Sequence, residues 1–356
     1  MKIETVESVP FTPAFTGDGF TVSYGHLVRL DHRLVRLVAE DGRIGVGELM
    51  RQPAVDSSTA AALENRVLPT LIGRDLADLP SFIDRLRAEG RLAHGLCFGL
   101  ETAWADLTGR AADLPVSALM GGPGAGDVPE MLGLSCRAPK AVADEIRARA
   151  SDVAHVQIKL GIGAIAEDLA RIRAALEALA PDQTLYADFN GVLPLELALA
   201  ELPQIRDRRL VWEEPCATLD DNLTFARAAG APVLFDQCVD TPETLYRALS
   251  SGVPAAVAIK PFYLGGLSLA RAARDMATAA GMPFRIDGPW CGQVAAAAAL
   301  HVALGADREL LLFSSDLTDP LETERKLIAH PAKARVGPAP GPGLGSDTAR
   351  IFAEAA

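Results

Sequence analysis

Apolar and polar residues follow two different patterns along this 356-residue chain, and the change falls near residue 125. The first part carries β-type alternation followed by helical periodicity. Strands are predicted at residues 1–9, 19–30 and 33–48, with Asp41-Gly42 as a turn, and helices at residues 57–71, 77–89 and 95–109. Strands followed by a run of helices are typical of an α+β unit. We therefore predict an α+β domain over residues 1–124, which ends in a segment rich in glycine.

In the second part, short apolar runs alternate with helical periodicity. Strands are predicted at residues 131–136, 153–160, 184–188, 209–214, 233–236, 255–260, 283–286 and 310–315. Helices fit between them, for example at residues 164–179 and 266–280. Eight strands that alternate with helices predict a (β/α)8-type barrel, with or without its last helix. This barrel would occupy residues 125–325, and a C-terminal segment, residues 326–356, would return to the first domain.

In five of the predicted barrel strands, a charged residue closes the apolar run at or next to the carboxyl end. These residues are Lys159, Asp188, Glu213, Asp236 and Lys260, at intervals of 23 to 29 residues. Each interval has room for one helix and two short loops, as in successive βα units. A parallel barrel collects the carboxyl ends of its strands on one face, where barrel enzymes carry their active sites. The pattern therefore predicts three carboxylates and two lysines at one mouth.

Composition excludes several classes of function. The chain is 49% hydrophobic and 22% charged, so it can bury a sizeable core. Its formal net charge of −12 argues against a general nucleic-acid or anionic-membrane surface, and no apolar run reaches the roughly 18 residues of a membrane span. The five cysteines form no C-x-x-C pair, and no signal-peptide pattern opens the chain. We expect a cytoplasmic protein with no nucleic-acid or membrane partner.

The three strand-end acids suit a metal ion. Asp188, Glu213 and Asp236 offer hard oxygen ligands from three adjacent strands. Such a set favours a small divalent cation with octahedral oxygen coordination, with Mg2+ as the first choice and Mn2+ as the second. A surface ion pair or a helix cap would explain one such acid equally well. It does not explain three at matched spacing with lysines on both sides.

The two lysines suit proton transfer. Lys159 and Lys260 follow strongly apolar strand residues, so their ammonium groups are expected to be partly buried at the mouth. Burial and a neighbouring cation both lower the pKa of a lysine, which lets it act as a base near neutral pH. Either lysine alone could instead reach out to solvent. Because both bracket the acids in chain order, we favour a catalytic role.

An ordered set of motifs resembles one known family. The set consists of Lys159, Asp188-Phe189-Asn190, Glu213-Glu214-Pro215, Asp236, Lys260-Pro261, Leu264-Gly265-Gly266, Gly45-Val46-Gly47-Glu48 and the helical stretch from Glu101 to Leu107. Over almost its whole length the chain resembles the muconate lactonizing enzyme and mandelate racemase-like subgroup of the enolase superfamily.

The resemblance has consequences for fold and chemistry. It implies a modified TIM barrel of (β/α)7β type under an N-terminal α+β capping domain that the C-terminal tail closes. It also implies that Asp188, Glu213 and Asp236 bind Mg2+, and that Lys159 and Lys260 form the acid/base pair. Members abstract the proton α to a substrate carboxylate and hold the resulting enediolate on the metal. Homo-oligomers are common among them.

One motif departs from the family pattern. The subgroup usually carries K-x-K on the second barrel strand, whereas this chain has Gln157-Ile158-Lys159. The missing cation weakens the argument for a low pKa at Lys159 and removes one partner for the substrate carboxylate. Gln157 can still donate a hydrogen bond, and we predict it and Asn190 as substrate contacts.

Further specificity residues are predicted at the last two strands and in the first domain. Asp287 and Asp316 could pair with a substrate ammonium, and Trp290 could offer its ring face to it. Alternatively, Trp290 packs on the barrel rim and the aspartates cap helices. Tyr24 lies where family members place a mobile substrate loop.

These residues lead to one functional hypothesis with alternatives. We predict a Mg2+-dependent enzyme that removes the α-proton of a small carboxylate substrate, and racemises or epimerises an amino-acid derivative of the proline or dipeptide type. The first alternative is a dehydratase or cycloisomerase of the same superfamily, acting on a hydroxyproline, a sugar acid or a muconate-like compound. The second is a non-catalytic binding barrel, which loss of a ligand or lysine would indicate; all five residues are present.

Overall fold

The N-terminal unit places an antiparallel sheet against a long helix. The computed structural model describes residues 1–51, 56–287, 290–315, 326–345 and 347–356. The first elements are β1 (Ile3–Phe11), β2 (Phe20–Val22), β3 (Gly25–Leu27), β4 (His32–Ala39), β5 (Ile44–Leu49), α1 (Ser57–Val67), α2 (Leu79–Arg87), α3 (Arg91–Ala112) and α4 (Val116–Leu119). The sheet has the order β1-β4-β5, and β2 and β3 form a separate hairpin.

Small residues let β5 lie directly on α3. A Cβ at Gly47 would lie 1.9 Å from the carbonyl oxygen of Gly99, and one at Gly45 would lie 2.1 Å from that of Ala103. Larger side chains at either glycine would force the strand away from the helix. The glycines of the Gly45–Glu48 motif therefore set the distance between the two elements that support the capping domain.

The second unit is a closed barrel of parallel strands. It is built from β6 (Val128–Leu134), α5 (Pro139–Arg149), β7 (His155–Lys159), α6 (Ile165–Ala178), β8 (Thr184–Asp188), α7 (Leu195–Glu201), β9 (Leu210–Glu213), α8 (Leu219–Ala229), β10 (Val233–Phe235), α9 (Pro242–Ser251), β11 (Ala256–Ile259), α10 (Pro261–Leu264), α11 (Leu267–Ala279), β12 (Phe284–Ile286), α12 (Gln293–Ala303) and β13 (Ser314–Ser315). Strands β6 to β12 are neighbours in chain order, and β13 closes the ring by pairing with β6. This is the modified TIM barrel of (β/α)7β type that the family resemblance implied.

The register of the strands brings three of the predicted site residues to one level. Lys159 pairs with Asp188 across β7 and β8, and Asp188 pairs with Glu213 across β8 and β9. The eighth strand is shorter than predicted, because only Ser314 and Ser315 of residues 310–315 form it. Leu311 adds an isolated bridge to Phe284, which joins the last strand to β12.

The C-terminal residues contact the first unit. They form β14 (Ile328–Ala332), β15 (Arg335–Pro338) and α13 (Thr348–Ala355), and β15 pairs antiparallel with β6. Asp106 on α3 is buried and accepts hydrogen bonds from the backbone amides of Val46 and Leu344. One carboxylate thus ties together β5, α3 and the tail. The domain boundaries at residues 124 and 325 stay predictions, and residue 325 lies outside the described residues.

Most of the buried apolar side chains surround the barrel. They lie between its strands and its outer helices, while a smaller cluster fills the capping domain. Every residue of α12 is buried. None of the helices within the described ranges is long and apolar enough to cross a membrane.

Glu48 joins the capping domain to the barrel. Its carboxylate is fully buried and accepts hydrogen bonds from the backbone amides of Gly292 (2.7 Å) and Ala295 (3.1 Å), at the start of α12. The Nδ1 atom of His32 lies 2.8 Å from the same carboxylate. The first turn of a helix has amides without intrahelical partners, and a carboxylate both satisfies them and complements the helix dipole.

We expect Glu48→Ala to lower the free energy of unfolding by about 3 kcal/mol, because it leaves two buried amides and His32 without their acceptor. Urea unfolding followed by circular dichroism measures the change. Glu4→Ala, at an exposed position of β1, serves as the matched control and should stay within about 0.5 kcal/mol of the parent. Equal midpoints for the two variants would show that Glu48 does not support the domain contact.

Candidate active site

Three carboxylates converge at the carboxyl ends of adjacent barrel strands. Asp188 ends β8, Glu213 ends β9 and Asp236 directly follows β10. One carboxylate oxygen from each lies within 4.8 Å of the others. Each of the three residues has at most 2% of its surface exposed. We call these residues the acid triad.

The acid triad fits a hard divalent cation. Burial raises the pKa of Glu213 to about 7, and the neighbouring charges of Asp188 and Asp236 add to the shift. The Oδ1 atom of Asp236 is buried and accepts no hydrogen bond from the described residues. Three buried carboxylates so close together repel one another unless positive charge lies between or beside them. Their oxygen atoms are the ligands that Mg2+ prefers, so the residues present fit such an ion.

Two buried lysines flank the acid triad. Lys159 ends β7 and Lys260 directly follows β11, with 9% and 8% of their surfaces exposed. The Nζ atom of Lys159 lies 2.5 Å from Oδ2 of Asp188, and that of Lys260 lies 2.7 Å from Oδ2 of Asp236. Strands β7 and β11 are the second and the sixth of the barrel, so they lie on opposite sides of its axis. We call Lys159 and Lys260 the lysine pair.

The lysine pair differs from expectation in one respect. Burial lowers the pKa of Lys159, but the charges of Asp188 and Glu213 outweigh this effect and raise the pKa above its ordinary value. The pKa of Lys260 is also raised, by Asp236 and Asp287 against the effect of burial. In this arrangement both pKa values therefore shift in the direction opposite to the one expected from burial and a neighbouring cation. The direct carboxylate partner, which the sequence did not reveal, decides the sign.

Gln157 and Asn190 contact the acid triad in the structure. The Nε2 atom of Gln157 donates to both carboxylate oxygens of Glu213, each at 2.8 Å, and to Oδ2 of Asp188 at 3.2 Å. The backbone amide and the Nδ2 atom of Asn190 donate to the two oxygens of Asp188. Asn190 has a φ of 47°, a left-handed conformation that asparagine tolerates better than most residues. Both residues orient metal-ligand candidates, and contact with a substrate stays a prediction.

The remaining predicted substrate residues fall in three environments. Tyr24 lies in the turn between β2 and β3; partial burial raises the pKa of its phenol, and the charges of the lysine pair oppose that rise. Trp290 packs on Phe15 and Phe20, with ring centroids 5.8 and 4.3 Å away, which matches the alternative in which it fills the rim. The Oδ2 atom of Asp287 lies 3.0 Å from Nε of Arg285. Asp316 lies outside the described residues. Their roles in substrate binding stay predictions.

Sequence reasoning assigned no role to three residues at this site. The carboxylate of Glu214 accepts hydrogen bonds from the backbone amides of Asp236 (2.5 Å) and Cys238 (2.6 Å), and so holds the loop after β10. The ring of Tyr263 lies 5.4 Å from Nζ of Lys260. Arg285 is buried on β12 and contacts the acid triad. The sequence feature that could have identified Arg285 is its charge between Phe284 and Ile286, in a strand that is otherwise apolar.

Known proteins resemble the chain in sequence and in structure. A sequence model described as "Enolase C-terminal domain-like" matches residues 141–350, and one described as "Mandelate racemase / muconate lactonizing enzyme, N-terminal domain" matches residues 8–121. The chain is 26% identical to cis-3-hydroxy-L-proline dehydratase of Roseibium aggregatum over 324 residues, which are 89% of this chain and 88% of that protein. It is 24% identical to N-succinyl-L-Arg/Lys racemase of Bacillus cereus over 319 residues, 85% of this chain and 84% of that protein.

A similar structure is also known. The crystal structure of a mandelate racemase/muconate lactonizing enzyme homologue from Roseovarius nubinhibens, complexed with magnesium, superposes with a TM-score of 0.86. It is 26% identical, and the match covers 97% of this chain and 96% of that one. The similarity extends through both units of the fold.

Proposed function

Because this chain belongs to the mandelate racemase and muconate lactonizing enzyme subgroup of the enolase superfamily, we propose that it is an enzyme that abstracts the proton α to a substrate carboxylate. One observation carries the proposal: two buried lysines on opposite barrel strands flank three converging carboxylates. A surface ion-pair network would not bury five charged side chains at the carboxyl ends of five successive strands. The Roseovarius structure, which is complexed with magnesium, supports the choice of metal.

The acid triad is the proposed Mg2+ site. When bound there, Mg2+ would supply positive charge beside the substrate carboxylate, where negative charge develops as the α-proton leaves. Gln157 and Asn190 would hold Glu213 and Asp188 in place through the hydrogen bonds described above. Mn2+ stays the second choice.

The lysine pair is the proposed acid and base. A substrate whose α-carbon lies between the two Nζ atoms presents one face to Lys159 and the other to Lys260. A neutral amine on one side accepts the α-proton at Nζ, and the ammonium on the other side donates its proton to the same carbon. The two steps together invert the configuration, which is racemisation or epimerisation. The pairing of each lysine with a carboxylate stabilises the ammonium form, the form that donates.

For the substrate, we propose an amino-acid derivative with a free carboxylate. Similarity to a racemase of N-succinyl arginine and lysine supports this class. The negative net charge of the chain does not oppose it, because two lysines and an arginine lie at the site itself. Homo-oligomerisation also stays a proposal.

Dehydration is the second candidate, and the similarity to cis-3-hydroxy-L-proline dehydratase over 89% of the chain favours it. The first step is the same removal of the α-proton by a lysine. If the β-carbon carries a hydroxyl group, that group can then leave as water after it takes a proton from an ammonium. The reaction then gives an alkene instead of an inverted centre.

Proton NMR in D2O with Mg2+ tests the proposal on N-succinyl-L-arginine, L-proline, cis-3-hydroxy-L-proline and an L,L-dipeptide. We expect α-deuteration of at least one compound. Inversion identifies a racemase or epimerase, and loss of the β-hydroxyl identifies a dehydratase. A reaction mixture without the protein is the control. If none of the compounds exchanges, the amino-acid class is wrong, and if sugar acids and muconates also fail, the proposed function is wrong.

A further inference from the structure

Arg285 is a buried cation inside the barrel. Only 1% of its surface is exposed, and it lies on β12 between Phe284 and Ile286. Those two neighbours pack in the large core between the strands and the outer helices. Alternation along a strand sends the side chain between them to the opposite side, which is the barrel interior.

The guanidinium contacts three carboxylates. Its Nη2 nitrogen lies 2.6 Å from Oε1 of Glu213 and 3.4 Å from Oδ1 of Asp236, and its Nε lies 3.0 Å from Oδ2 of Asp287. Two of these partners belong to the acid triad. A single nitrogen thus contacts both triad acids, with a hydrogen bond to Glu213 and an ion pair to Asp236. Arginine suits such a position because its guanidinium stays charged next to several carboxylates.

Small and apolar residues leave room for the side chain. Ala258 pairs with Arg285 in the neighbouring strand β11, so no long side chain competes for the space. An apolar layer that includes Tyr186, Leu234 and Phe313 fills the adjacent part of the interior, and the guanidinium carbon lies 5.8 Å from the ring of Phe313. A charge in these surroundings is stable only if it is paired.

Each acid of the triad has its own cationic partner. Lys159 pairs with Asp188, Lys260 pairs with Asp236, and Arg285 pairs with Glu213. Gln157 also binds Glu213 but brings no charge. The two lysines are the proposed proton carriers, whereas a guanidinium does not lose its proton in proteins. Of these three cations, Arg285 is therefore the one whose charge stays constant when protons move.

We propose that Arg285 is a positioning residue of the metal site: it bridges Glu213 and Asp236 from inside the barrel and holds both carboxylates in the orientation that the cation requires. This inference rests on the proposed function, because it takes the acid triad to be the metal site. Arg285 lies below the carboxylates and acts through them, without contact to the substrate.

Isothermal titration of the whole protein with Mg2+ alone tests this role. Arg285→Met keeps an unbranched apolar side chain but removes the guanidinium. In this variant we expect the Kd for Mg2+ to rise by about 10–100-fold, as when groups that orient metal ligands are removed. Arg274→Met is the matched control: Arg274 is 3% exposed but binds the backbone oxygens of Met120 and Val302, away from the acid triad. This control should keep the Kd of the parent.

A second-site variant separates positioning from general loss of structure. Gln157→Lys restores a cation beside Glu213 from another strand, so the double variant with Arg285→Met should recover most of the lost affinity. If Arg285→Met does not fold, Arg285→Lys takes its place and should raise the Kd by a smaller factor, because an ammonium engages fewer oxygens.

The outcomes are distinguishable. Removal of a positive charge would by itself tighten binding of a cation, so an unchanged or lower Kd in the folded Arg285 variant overturns the positioning role. An absence of rescue by Gln157→Lys does the same. If the parent itself binds no Mg2+, the proposed function fails, whatever the variants do.

Discussion

Replacement of either member of the lysine pair is expected to slow, by about 10²–10⁴-fold, the exchange of the substrate α-proton that faces the replaced lysine; this factor is the usual contribution of a general acid or base. Lys159→Met and Lys260→Met keep an unbranched side chain as far as Cε and remove the amine. The two variants should also differ in which hand of the substrate they exchange, because each variant retains the lysine on one face of the substrate only. One hand of the substrate should still exchange in Lys159→Met and the other hand in Lys260→Met. Proton NMR in D2O, on the panel compound that exchanges fastest, measures both effects.

Lys333→Met is the matched control, since this lysine has 79% of its side chain exposed and pairs only with Asp152 among the described residues. This variant should catalyse exchange of the substrate α-proton at the rate of the parent. Circular dichroism confirms that each variant is folded, because loss of Lys260 leaves the buried carboxylate of Asp236 without its shortest ion pair. Exchange of both hands at the parent rate in a folded Lys260→Met would refute the two-face arrangement.

Loss of the metal is expected to have the second large effect. Metal-ion stabilisation of developing charge contributes several kcal/mol, and each 1.36 kcal/mol corresponds to a factor of ten in rate. We therefore expect EDTA to slow exchange by about 10³-fold or more, and added Mg2+ to restore it. Asp236→Asn removes one anionic ligand and should lower the exchange rate by a similar factor. Excess Mg2+ should restore the rate of this variant only in part.

Asp182→Asn is the control for that substitution, because Asp182 is exposed and lies at the opposite end of β8 from the acid triad. Full activity in EDTA would contradict the metal site. Restoration by Mn2+ as well as by Mg2+ would support the second choice of metal. Thermal unfolding with and without Mg2+ provides a readout independent of turnover, since a ligand that binds only the folded state raises the Tm.

The fold was predictable because its rules act over short stretches of sequence. Each barrel strand is a short apolar run, and each is followed by enough residues for one helix, so the βα alternation could be read directly. Parallel strands collect their carboxyl ends on one face, which is why Asp188, Glu213 and Asp236 could be placed together from their spacing alone. The short last strand at Ser314–Ser315 was less predictable, because few ladder bonds define it.

Contacts between distant parts of the chain could not be read in this way. Glu48 binds the start of α12, 244 residues further along, and its acidic side chain carries no sign of that partner. Trp290 had two equally plausible environments in sequence, and packing against Phe15 and Phe20 of the first domain places it on the rim.

The sequence alone determined which residues reach the mouth of the barrel, because strand period and parallel topology fix the ends of the strands. The tertiary structure decided how those residues are paired, and pairing depends on distances of a few ångströms between elements far apart in the chain. It gave Lys159 and Lys260 carboxylate partners that raise their pKa values, where burial alone would lower them. It also brought Arg285 to Glu213, 72 residues away in sequence, and so supplied the cation that Gln157 lacks.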